Sequence, residues 1–139
     1  NPTSLRDYAG TQSLNKAFAD RWVIWDKPFP NKEQLNTIFE KRYPKLQKEY
    51  RDLIIKLATE INNSFMSDDI SINIETPMSL RTIVERIPIG LDVYAESLDP
   101  LKDTWENFVL PHVNKEDLDH YKTLWNTIVR KGPSIKPKL

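Results

Sequence analysis

The 139 residues carry 20 Lys and Arg against 20 Asp and Glu, so no net basic field is available to draw in nucleic acid. There is no cysteine, which excludes disulfides, thiolate zinc and cysteine nucleophiles. With 39% hydrophobic residues the chain can fill one core, and its three glycines, Gly10, Gly90 and Gly132, lie too far apart to form a glycine-rich phosphate loop.

Thr11 can cap a short helix with Leu14, Ala17 and Phe18 on one face, ending near Asp20 and Arg21. Trp22-Val23-Ile24-Trp25 reads as a short buried strand, and Pro28 and Pro30 end it and mark one internal boundary near residue 30. Asn31 opens a helix with Leu35, Ile38 and Phe39 inward, which Pro44 stops. Leu46, Tyr50, Leu53, Ile54, Leu57, Ile61 and Phe65 then recur at spacings of three and four, one apolar stripe on the longest helix. Ile70, Ile72 and Ile74 alternate with polar residues, the period of a short strand or an extended connector.

Ser79 can cap the next helix, with Leu80, Ile83, Val84 and Ile87 inward. Pro88 is expected to kink or end it before Leu91, Val93 and Tyr94 resume the pattern. Asp99-Pro100 is a start signal ahead of Leu101, Trp105, Phe108 and Val109, and Pro111 closes that helix. Asn114 and Asp117 form a capping-box-like pair before Leu118, Tyr121, Leu124, Trp125 and Ile128, with Gly132-Pro133 as the stop and residues 133–139 expected to be disordered. No run approaches the roughly 20 apolar residues of a membrane span and no secretory leader is recognisable, so a cytoplasmic location is expected. A chain opening on Asn1 reads as a piece of a longer polypeptide.

The chemistry-bearing residue types form no self-sufficient catalytic set. His112 and His120 lack an acidic cluster at ligand spacing and are read as structural, and Asp68-Asp69 as a solvated pair; no metal site is assigned. No GxSxG elbow is present. Lys41, Arg42, Lys45, Lys48, Arg51 and Lys56 interleave with Glu40, Glu49, Asp52 and Glu60, the pattern of a salt-bridged helix face more than of a nucleic-acid site. Residues 66–106 hold nine acids and three bases, whereas 130–139 hold four bases and no acid.

Asn1-Pro2, Tyr8-Ala9-Gly10-Thr11, Leu14-Asn15, Ala17-Phe18 and Asp20-Arg21-Trp22, followed by Ser79-Leu80-Arg81, resemble AAA+ ATPases of the MoxR group and its cobaltochelatase relatives, from sensor 1 to the helical lid. The resemblance implies a mainly α fold: residues 1–30 as the edge of an α/β ATPase core with its last helix and strand, and 31–132 as a lid of about five helices. It is good over the first thirty residues and moderate to about residue 95. It implies that Asn1 orients the attacking water, that Arg21 is an arginine finger into the neighbouring subunit, and that Arg81 is sensor 2, binding the γ-phosphate of ATP in cis or in trans. Bidentate, permanently charged guanidinium suits both arginine roles.

The family's phosphate loop and magnesium-binding acidic pair are missing here, so ATP and Mg belong to the parent protein and this chain alone is expected not to hydrolyse ATP. The partners implied are the other subunits of a hexameric homo-oligomeric ring and a von Willebrand A-type protein. Outside the family pattern, Arg21 would stabilise a helix C-terminus and Arg81 would pair with Glu85 one turn on. The alternative function is a stand-alone helical interaction module.

Overall fold

A computed structural model describes residues 29–67 and 74–139. The chain divides into two units, Asn1–Pro30 and Asn31–Leu139, and the architecture below is that of the second. The helix expected from Thr11, the strand expected at 22–25, Asn1, Arg21 and Asp68-Asp69 all lie outside the described residues. Within them the protein is mainly helical, with five α-helices and no strand.

Helix α1 (Lys32–Arg42) begins in a reciprocal capping box: Asn31 Oδ1 accepts from the Gln34 amide at 2.8 Å, and Gln34 Oε1 accepts from the Asn31 amide at 2.9 Å. Leu35 and Phe39 face the core. Helix α2 (Lys48–Phe65) is about 27 Å long at 1.5 Å per residue and carries the apolar stripe Tyr50, Ile54, Leu57, Ala58 and Ile61, all fully buried. Leu46 opens the stripe from the turn before α2, and Phe65 at its other end is exposed. α2 packs against α1 and, on its other side, against α5 (Leu118–Ile128). Trp105 lies against Tyr121 and stacks on Trp125 with centroids 5.5 Å apart, closing the core beneath α5.

The third helical run does not end at Pro88. A π-turn over Thr82–Arg86 leads straight into α3 (Ile87–Val93), with the Ile87 amide reaching back five residues to the Thr82 carbonyl. Proline has no N–H, and its ring crowds the carbonyl four residues earlier, here that of Val84. The widened turn relieves the crowding, and the Tyr43 hydroxyl at the end of α1 donates to the Val84 carbonyl at 2.6 Å. The same device precedes Pro111: α4 (Pro100–Thr104), capped by Asp99, passes into a π-turn over Trp105–Val109 that also ends two residues before the proline. There the run closes in a 3₁₀ turn, Leu110–His112, as expected of Pro111. α3 and α4 cross so closely that a Cβ on Gly90 would collide with the Thr104 side chain.

Ile70 and Ile72 of the alternating stretch lie outside the described residues, and from Ile74 the residues 74–79 form a connector without helix or strand, several of whose backbone groups are met by side chains. Asp117, 2% exposed, accepts from the Glu75 amide at 2.9 Å and the Thr76 amide at 2.7 Å. Tyr121 donates to the Thr76 carbonyl, and the Asn114 amide donates to Thr76 Oγ1 at 3.1 Å. Asn62 completes the clamp, donating to the Met78 carbonyl at 3.1 Å and accepting from its amide at 2.8 Å. Asp117 is therefore not part of a capping box with Asn114. Its buried carboxylate is taken up instead by the backbone amides of Glu75 and Thr76 in a distant segment.

Two expectations about the C-terminus are also corrected. Helix α5 stops at Arg130, which takes the left-handed conformation with φ 62° while its amide and that of Val129 both donate to the Trp125 carbonyl. Gly132 serves instead for close approach: its amide donates to Asp99 Oδ2 at 3.0 Å, where a Cβ would strike the same carboxylate. Residues 133–139 are ordered. Tyr50 donates to the Ile135 carbonyl, Gln47 donates to the Lys136 carbonyl at 2.7 Å and accepts from the Lys138 amide at 3.1 Å, and Lys136 pairs with Glu96. Burial and the nearby Asp99 push the Tyr50 hydroxyl up to about 12, and burial with Asp117 raises that of Tyr121 as well.

Candidate functional site

The third helical run opens where the sequence places it. Ser79 Oγ accepts from the Thr82 amide at 3.1 Å, satisfying one orphan donor of the first turn, and the Ser79 carbonyl accepts from Ile83. Leu80 packs against the core, which turns Arg81 outward with a side chain 74% exposed. Its Nε lies 3.7 Å from Glu85 Oε1, while Glu85 Oε2 lies 3.8 Å from Arg42 Nη1 at the end of α1. Glu85 thus sits between two arginines from different helices.

Both separations exceed hydrogen-bond length, and all three side chains are close to half exposed or more. Such exposed pairs contribute about 0–1 kcal/mol, so Arg81 can leave Glu85 at small cost. Arg42 also lies over the Tyr43 ring at 5.6 Å, so Glu85 has a second cationic neighbour besides Arg81. The pairing of Arg81 with Glu85 that the spacing predicts is present, and it is weak enough to be exchanged for a better anion.

No protein-family model, curated protein or solved structure matches this chain. Of the residues expected to act in catalysis, Asn1, Arg21 and Arg81, only Arg81 lies among the described residues. Toward ATP and magnesium the described residues offer the exposed, loosely paired guanidinium of Arg81, and no group of three or more His, Cys, Asp or Glu converges among them to hold a metal ion. No described helix is long and apolar enough to cross a membrane.

Arg86, one turn further along the same run, escaped the sequence reading. It is half-buried, and its Nη1 donates to Thr82 Oγ1 at 3.1 Å. It borders a cavity of about 150 Å³ between the connector, the third run and the turn around Pro111, with Met78, Val109 and Val113 as apolar wall and Ser79, Thr82 and His112 as polar lining. The signal available in the sequence was the spacing of four between Thr82 and Arg86 on the polar edge of an otherwise apolar stripe. His112 is exposed in the 3₁₀ turn, and His120 Nε2 meets Ser64 Oγ at 3.2 Å, tying α5 to α2.

Proposed function

We propose that this chain is the C-terminal part of a ring-forming MoxR-like AAA+ ATPase, in which the helical unit is the lid and Arg81 is sensor 2. The observation that carries the reading is the position of Arg81: exposed, on the opening turn of the third helical run after a Ser79 cap, and held only by a loose pair. In the parent protein the Arg81 guanidinium binds γ-phosphate oxygens bidentately in exchange for Glu85, which keeps Arg42. The inner side of that run is fixed to α1 through Tyr43, so a pull on Arg81 moves the lid as a body.

Arg21 serves as the arginine finger into the adjacent subunit and Asn1 orients the attacking water. The assembly is a cytoplasmic hexamer that uses Mg-ATP to remodel a protein complex, with a von Willebrand A-type partner. Arg21→Ala in the intact parent tests this: the expected result is a loss of turnover of roughly 10³-fold or more with nucleotide binding spared. Unchanged turnover removes Arg21 from the catalytic set. The alternative, a helical interaction module, draws on Ile89 and Val93 one turn apart on the outer face of α3 and on Leu98 beyond it, all exposed.

A further inference from the structure

We infer that the cavity beside Arg86 is a receptor for a small oxyanion, a carboxylate or phosphate group, separate from Arg81 and independent of the ATPase reading. Arg42 and Arg81 each have a carboxylate, whereas Arg86 has none among the described residues, and one hydroxyl takes a single hydrogen bond from its five-donor fork. A half-buried guanidinium attracts an anion more strongly than one in open water, because the surrounding dielectric is lower.

One hydroxyl next to Arg86 keeps a proton to donate. Thr82, only 8% exposed, accepts at Oγ1 from both Arg86 Nη1 and Ser79 Oγ, which leaves its own proton without an acceptor among the described groups. Ser79 Oγ already accepts from the Thr82 amide. No described carboxylate lines the cavity, and the His112 ring stands at its polar side. Met78, Val109 and Val113 contribute apolar lining, and Arg86 is the one permanently charged residue in the lining to meet an incoming oxyanion. The volume of about 150 Å³ is well above the roughly 15 Å³ that one water requires.

The test is an NMR titration of the isotopically labelled 139-residue chain with inorganic phosphate, with acetate and with chloride at matched ionic strength. Saturable shifts are expected at the Arg86 Nε–H and the Thr82 amide with phosphate or acetate and not with chloride. Saturation by phosphate alone marks a phosphate receptor, by acetate alone a carboxylate receptor, and either supports the site. Arg86→Gln is expected to weaken binding at least about ten-fold, whereas Arg81→Gln leaves it unchanged. Val113→Trp, which fills the cavity without touching the guanidinium, is expected to abolish binding and covers the case in which Arg86→Gln does not fold. Shifts that do not saturate, that chloride reproduces, or that survive both Arg86→Gln and Val113→Trp overturn the proposal.

Discussion

Arg81 and Arg86 lie five positions apart on one helical run, yet their surroundings share almost nothing. Arg81 projects into solvent beside a loosely held Glu85, while Arg86 is half-buried against a threonine hydroxyl and a cavity. Around them the two sides of the run differ in the same way. The inner side and the connector leading to it are fixed by buried polar contacts from Asp117, Asn62, Tyr121 and Tyr43, and the outer side carries exchangeable charge. Fixed contacts and exchangeable charge are thus kept on different sides of the run, the arrangement that the proposed lid role calls for.

Substitutions on the fixed side should cost the most stability. Asp117→Ala leaves the part-buried Glu75 and Thr76 amides without their carboxylate acceptor and should lower unfolding free energy by about 1–3 kcal/mol in urea denaturation. Gly90→Ala should destabilise by about 1–3 kcal/mol despite alanine's better helix propensity, because the new methyl meets Thr104; a gain in stability would show that α3 and α4 separate freely. Tyr43→Phe, which strands the Val84 carbonyl, should cost about 1–2 kcal/mol and lower amide-exchange protection first between Thr82 and Pro88.

A pH series sharpens the contrast further. The folded state raises the Tyr50 hydroxyl from 10.0 to about 12, so the stability it contributes is complete below pH 10 and is lost as pH rises toward 12. Alkaline titration should release residues 135–138 from Gln47 and Tyr50 in that window, and Tyr50→Phe should remove that part of the pH dependence. On the exchangeable side, Arg81→Ala should alter stability by no more than about 0.5 kcal/mol.

Local signals were legible wherever a residue acts on its own neighbours. Asn31, Ser79 and Asp99 cap the turns they were expected to cap, and the stripe from Tyr50 to Ile61 is the core face of α2. Failures arose where a distant partner supplies what the local rule assumes is missing. Pro88 marks a kink or an end by the local rule, and the run continues past it with the hydroxyl of Tyr43, 41 positions before Val84, on the freed Val84 carbonyl. Asp117 looks like a capping residue until the connector offers it the Glu75 and Thr76 amides, and the Lys/Pro tail looks disordered until Gln47, Tyr50 and Glu96 receive it. The exposed pairing of Arg81 with Glu85 was legible from their spacing of four. Arg86 was not, because its character depends on a cavity formed by three segments that the sequence holds far apart.

The most direct measurement is ATP turnover by the intact parent ring carrying Arg81→Ala, made alongside thermal unfolding of the same variant. The account predicts a melting temperature close to that of the unaltered ring, with ATP binding weakened and turnover lost. Undiminished turnover in a fully folded ring would contradict it, leaving Arg81 as nothing more than the partner of Glu85.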